Sequence, residues 1–209
     1  MKALITILLV CLILAGCASR QDYRLAVSDL HLVTNERISV GVQDHRPYIT
    51  NHDKEEYFVG IQRGGFGIPV SLATESMRPL AEDMTSAIVK SFANAGATVT
   101  PMKVTPVMDK DTILHLAQSQ QAEKIILLTL LNWKTDTYQS TDLIYDISMT
   151  VFDVKGHELT TKHLQGTDDL GKSILDPQSI ATELAPKSFQ KKLEELFGAD
   201  ISAVLSKNP

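Results

Sequence analysis

The sequence predicts one α/β domain of the α+β kind, a mixed or antiparallel sheet packed by helices. Three patterns carry this. Leu80, Met84, Ile88 and Phe92 recur every four residues, which puts one apolar stripe on a long helix. Ile125-Ile126-Leu127-Leu128-Thr129-Leu130-Leu131 is almost continuously apolar and β-branched at its start, the mark of a central strand covered on both faces. Leu143, Tyr145, Ile147, Met149 and Val151 then alternate with Ile144, Asp146, Ser148, Thr150 and Phe152, the period of an antiparallel partner strand.

The other elements follow in order. Residues 18–35 mix charge with short apolar pieces and read as a tether, with room for one short docking strand. Ile38, Val40 and Val42 alternate with Ser39, Gly41 and Gln43, which predicts a half-buried strand ending at Asp44-His45-Arg46-Pro47. Residues 47–74 hold a charged turn and a short strand candidate at Tyr57-Phe58-Val59-Gly60-Ile61. The glycine-rich piece Arg63-Gly64-Gly65-Phe66-Gly67-Ile68-Pro69 comes next and reads as a hairpin or loop. The long helix occupies residues 76–95, with Pro79 in its first turn, Glu82 and Asp83 near its positive end, and Gly96 as its stop. A short strand at Thr98-Val99-Thr100-Pro101 and a helix over residues 109–121, capped by Asp109 or Asp111, precede the central strand. Residues 136–141 make a turn, Asp153-Val154-Lys155-Gly156 makes another, and residues 157–165 return as a third strand. Residues 168–176 read as loop. Pro186 is expected to split the following segment into two helices, the second with Phe189, Leu193, Leu196, Phe197, Ile201, Val204 and Leu205 on its apolar face.

Length and charge bound the function. The 209 residues suffice for one ordinary domain with a proper core, and a net charge of -5 without a basic face argues against a nucleic-acid partner. Both cysteines, Cys11 and Cys17, fall at the N-terminus, so the rest of the chain offers no disulfide or thiolate metal site.

That N-terminus has the build of a secretory signal. Lys2 supplies the positive start, Ala3 to Leu14 is almost unbrokenly apolar, and small residues lead into a cysteine. Leu14-Ala15-Gly16-Cys17 resembles the lipobox of bacterial lipoproteins. The resemblance implies cleavage after Gly16, acylation of Cys17 and anchoring to a membrane by acyl chains, with no transmembrane helix required; no cofactor is expected. An ordinary cleaved signal is the alternative. Ala18 and Ser19 follow the cysteine where inner-membrane lipoproteins carry aspartate, which implies sorting to the outer membrane, facing the periplasm. The expected division is a signal over residues 1–16, a tether over 17–35 and one domain over 36–209.

The order of elements, carried by residues 80–96 with Val99 and Pro101 and by the strands around Ile126 and Ile147, resembles the YajG-type envelope lipoproteins. It is more loosely similar to the N-terminal α/β domain of TolB and to lipoprotein subunits of secretion or export rings. Residues 47–74 and 109–121 depart from the YajG pattern.

Motifs for chemistry are missing. The chain has no Gly-x-Ser-x-Gly elbow, no His-Glu-x-x-His helix and no phosphate loop, and its six histidines are scattered. Asp44-His45-Arg46 stands out because strand ends are where α/β sheets gather ligand sites. Its alternative is a solvated strand end with Asp44 paired to Arg46 or to a helix start. Phe66, with Ile68, is the other candidate, as an exposed anchor for a partner. His45, His52 and Asp53 are loosely spaced for a metal, Trp133 and Tyr138 flank a turn, and Asp168-Asp169 are neighbouring loop carboxylates. The resulting expectation is a non-enzymatic accessory or assembly subunit of an envelope machinery, attached through Cys17 and bound to a protein partner or to copies of itself. A glycan- or lipid-binding lipoprotein and a metal-assisted hydrolase using His45 are the alternatives.

Overall fold

A computed structural model describes residues 20–32, 34–64, 66–173 and 177–206. The leader, Cys17 and the site of cleavage lie outside the described residues. The chain folds as a single mixed α/β domain in which a curled eight-stranded sheet is packed by five α-helices.

The strands are β1 (Arg20–Gln21), β2 (Arg37–Asp44), β3 (Phe58–Arg63), β4 (Pro69–Thr74), β5 (Thr98–Pro101), β6 (Lys124–Thr137), β7 (Thr141–Asp153) and β8 (Glu158–Gly171). The helices are α1 (Pro47–Thr50), α2 (Leu80–Asn94), α3 (Lys110–Ser119), α4 (Pro177–Leu196) and α5 (Ala199–Ser206). β6 is the spine. Along one edge it pairs antiparallel with β7, which pairs antiparallel with β8. Its other edge is shared between two neighbours: residues 124–130 pair parallel with β2, and residues 135–137 pair parallel with β3. The sheet therefore forks, with β2–β5 on one branch and β3–β4–β1 on the other. A register irregularity in β6 between Leu130 and Asn132 marks the fork.

β6 is twice as long as its apolar run because Asn132 to Thr137, mostly polar by sequence, pair with β7 throughout and with β3 over residues 135–137. β8 likewise extends to Gly171, so Asp168 and Asp169 are strand residues. β2 is buried on both faces and not half-buried: Ser39 bonds Gln120 at 2.7 Å, and Gln43 donates to the carbonyl of Met108 at 2.7 Å. The amide of Val42 is taken by the hydroxyl of Thr85, at 3.1 Å, which ties α2 to the sheet.

α2, α4 and α5 cover one face of the sheet and, with β2, β6 and β7, enclose the main core. On the other face, α3 packs Ile113 and Ala117 on Ile125. α2 starts at Leu80 with Pro79 as its cap residue, one turn later than the sequence suggests. It ends in a Schellman turn, with Ala97 N bonded to Phe92 O and Gly96 N to Ala93 O, both at 3.0 Å, and Gly96 at φ +85°. α3 is capped by Asp109, whose carboxylate accepts from Thr112 N at 2.8 Å.

Two expectations are corrected. Pro186 does not divide α4, because Ala181, Ala185, Phe189, Leu193 and Leu196 hold one continuous face against the core on both sides of it. That burial offsets the hydrogen bond a proline forfeits. The break falls after Leu196 instead, near Gly198. Nor are residues 20–32 only a tether. The short docking strand allowed for there is β1, which pairs with β4, and Tyr23, Ala26, Leu30 and Leu32 join the main core.

Candidate functional site

Asp44, His45 and Arg46 sit at the fork of the sheet. β2 ends at Asp44, the amide of His45 makes its last bond to Leu130 O at 2.9 Å, and Pro47 opens α1, turning the chain away from β6. β3 has not yet joined, so the carbonyl of Trp133 has no strand partner on that edge. Two side chains take it instead, Tyr48 through its hydroxyl at 3.2 Å and Arg46. Its Nη1 donates to Trp133 O at 3.1 Å and Phe58 O at 2.7 Å. Its Nε and Nη2 donate to the two oxygens of Asp44 at 2.8 and 2.6 Å, and Nη2 also reaches Glu56 O at 3.4 Å. Burial works against the charge, but the carboxylate of Asp44 outweighs it and raises the Arg46 pKa above its ordinary value. Arg46 is 0% exposed and Asp44 2%.

Neither residue is therefore available as a partner surface. Their alternative reading, an Asp44–Arg46 pair, is the geometry found, though sealed in the interior and not solvated. His45 alone of the triplet reaches outward, with Nε2 3.0 Å from Pro106 O. Among the described residues no group of three or more His, Asp or Glu side chains is placed to hold a metal ion.

Next to the fork lies a buried polar relay. Gln21 Nε2 donates to Thr135 Oγ1 at 3.0 Å, Tyr23 OH donates to Gln21 Oε1 at 2.7 Å, and Trp133 Nε1 donates to Tyr23 OH at 2.7 Å. Burial pushes the Tyr23 phenol well above its usual range, so it stays a neutral donor. Trp133 is fully buried against Tyr23 and Phe189, with ring centroids 6.1 and 5.5 Å away. Tyr138 is half exposed in the turn after β6, so the two aromatics do not form one platform. Asp168 faces α4 and pairs with Lys192 at 3.1 Å.

Phe66 lies at the opposite extreme. The β3–β4 hairpin closes with Gly64 N bonded to Ile68 O and Gly67 N to Gly64 O. It lifts Phe66 to 98% exposure, with Ile68 at 65% and Val70 at 61%. These three contribute nothing to the core and form the apolar tip of the molecule. A separate cleft of about 360 Å³ lies between α2 and the chain after β5, lined by Val42, Ala81, Thr85, Met102 and Val104 with Arg78 and Glu82 on its rim.

No family model and no curated protein sequence matches the chain. Among solved structures it is similar to XCC0632 from Xanthomonas campestris, a DUF330 protein, with a TM-score of 0.51 at 10% identity over 85% of this chain and 94% of that one. That likeness defines the shared fold. Fainter similarities extend to lipoprotein GNA1162 from Neisseria meningitidis, with a TM-score of 0.41 at 12% identity over 65% and 83% of the two chains. A PelC dodecamer from Paraburkholderia phytofirmans also scores 0.41, at 14% identity over 83% and 96%.

Proposed function

We propose that the chain is a lipoprotein, held by acyl chains on Cys17 to the outer membrane and facing the periplasm, that serves as a non-enzymatic accessory or assembly subunit of an envelope machinery. The observation that carries this is how few residues separate the lipobox cysteine from the fold. β1 begins at Arg20, and the following residues lock at once into the core through Gln21 and Tyr23. Three residues span at most about 11 Å, so an acylated Cys17 keeps the domain against the bilayer surface. A protein fixed so closely is suited to presenting a surface at the membrane. The charged pair best placed for chemistry is meanwhile spent on the sheet: Asp44 and Arg46 bind each other and the backbone. Among the described residues no helix is long and apolar enough to cross a membrane.

Cys17→Ala is expected to release the protein from membranes. Fractionation that leaves the variant in the outer membrane refutes the anchor. Crosslinking in intact cells, followed by purification from solubilised envelopes, is expected to recover a stable partner protein or a homo-oligomer. A chain recovered only as a monomer refutes the subunit role.

A further inference from the structure

We propose that the β3–β4 hairpin tip is a second, non-covalent membrane contact: Phe66, Ile68 and Val70 enter the same lipid surface that the acyl chains on Cys17 enter, and so set the orientation of the domain. This rests on the lipoprotein reading above.

Direction and reach carry the inference. β1 runs parallel to β4 with Arg20 beside Ala73 and Gln21 beside Thr74, so the N-terminal end of β1 points along β4 toward the hairpin tip. The three residues from Arg20 back to Cys17 reach no farther than about 11 Å, and the three from Ala73 back to Val70 cover about 10 Å of strand. The membrane surface that holds Cys17 is thus within reach of the base of the tip. Beyond Val70 the hairpin continues through Pro69, which pairs with Arg63, to Ile68 and Phe66.

Chemistry agrees with direction. Three apolar side chains more than half exposed follow one another at alternate positions, Phe66 and Ile68 in the turn and Val70 at the start of β4, where solvent contact is unfavourable and lipid contact is not. The nearest charges are matched: Arg63 binds Asp136 through Nη2 at 2.9 Å and Nε at 3.2 Å. Tyr138, half exposed, follows β6 at the same end of the sheet, because Gln62 of β3 pairs with Thr137. An aromatic ring with a polar tip suits the headgroup level. The opposite end of the sheet, at the β7–β8 turn, is polar, with Lys155 exposed.

The test uses the full-length protein, processed in cells and reconstituted into vesicles of phosphatidylethanolamine and phosphatidylglycerol. With Cys17 acylated and Cys11 removed with the leader, a single introduced cysteine is the sole free thiol for an environment-sensitive fluorophore. Labelled at Phe66→Cys, the probe is expected to be blue-shifted and quenched by lipids carrying nitroxide on their acyl chains. At Lys155→Cys it is expected to remain solvent-like. A solvent-like probe at position 66 on fully vesicle-bound protein overturns the contact and leaves the anchor standing. A blue-shifted but unquenched probe shows the tip buried by another protein or a second copy, and also overturns it. Protein that does not float with vesicles at all sinks the anchor and the contact together.

Discussion

The fork of the sheet and the tip of the β3–β4 hairpin are connected by one short stretch of chain, yet they spend their residues in opposite ways. At the fork, charge is placed where water cannot reach and every donor is matched: Arg46 uses its guanidinium to complete two strands and to hold Asp44. At the tip, apolar side chains are placed where only water reaches, and nothing in the domain uses them. A buried ion pair is an expensive way to gain stability, because desolvation consumes most of the attraction. Its use here follows from topology. When one long strand serves two neighbours in turn, the backbone between them has no strand partner on that edge, and a planar multi-donor side chain can bridge the gap. The tip has no such structural justification, which directs attention outward.

The largest effect should come from breaking the fork. Arg46→Met leaves Asp44 buried without a counter-charge and strips Phe58 and Trp133 of a donor. We expect a loss of about 3–5 kcal/mol, read from urea midpoints. Arg46→Lys should recover little of it, since an ammonium cannot present the same fork of donors. Adding Asp44→Val to Arg46→Met removes the orphaned charge but does not restore the bonds Arg46 gave to Phe58 O and Trp133 O, so only part of the loss should return. Full recovery would show that the backbone contacts of Arg46 are dispensable.

Tyr23→Phe probes the neighbouring relay. It leaves Trp133 Nε1 and Gln21 Oε1 buried without partners, at a cost of about 1–3 kcal/mol. If residues 20–32 were a mere tether the change would be silent. Amide exchange in β1 and β4 should also accelerate.

A smaller effect distinguishes Asp83, buried in the first turn of α2. Burial, the main cause, raises its pKa, although Ser76 Oγ at 2.6 Å and Arg78 work the other way. A carboxyl whose pKa is raised on folding binds its proton more tightly in the folded state. The stability it adds is present below the unfolded pKa near 3.9 and is lost as pH rises through the folded value. Against Asp83→Asn, the parent protein should therefore lose ground from about pH 4 upward and level off once the folded carboxyl has ionised. Urea midpoints at a series of pH values test the sign. A parent that gains on the variant over that window would mean that Arg78 and Ser76 outweigh burial.

How far the sequence reveals these features depends on whether the cause is local. The stripe Leu80, Met84, Ile88, Phe92 and its Gly96 stop are local, and α2 is where the pattern places it. The alternation from Leu143 to Val151 is local too. The polar half of β6 becomes strand only because β3 and β7 flank it, and residues 20–32 look like a tether because their bonds go to Thr135 and Trp133, more than a hundred positions away. Pro186 misleads for the same reason, since a core face outweighs a local penalty. At the candidate site, the Asp44–Arg46 pairing is legible from its spacing of two, but its burial depends on where β2 leaves β6. The exposure of Phe66 is legible from its glycine neighbours. Its position beside the path of the N-terminus follows from the β1–β4 pairing, which no local pattern announces.

The smallest expected effect is the one that most sharpens the contrast. Phe66→Ser should leave the urea midpoint of the detergent-solubilised protein within about 0.5 kcal/mol of the parent, because a side chain 98% exposed gives up almost no contacts. Adding Ile68→Ser should change that little. A residue so cheap to remove from the fold, yet so unfavourable in water, has its consequence outside the fold. If the double variant proves instead to be destabilised by as much as Tyr23→Phe, the tip packs on the domain in solution, and the division between an inward-looking fork and an outward-looking hairpin does not hold.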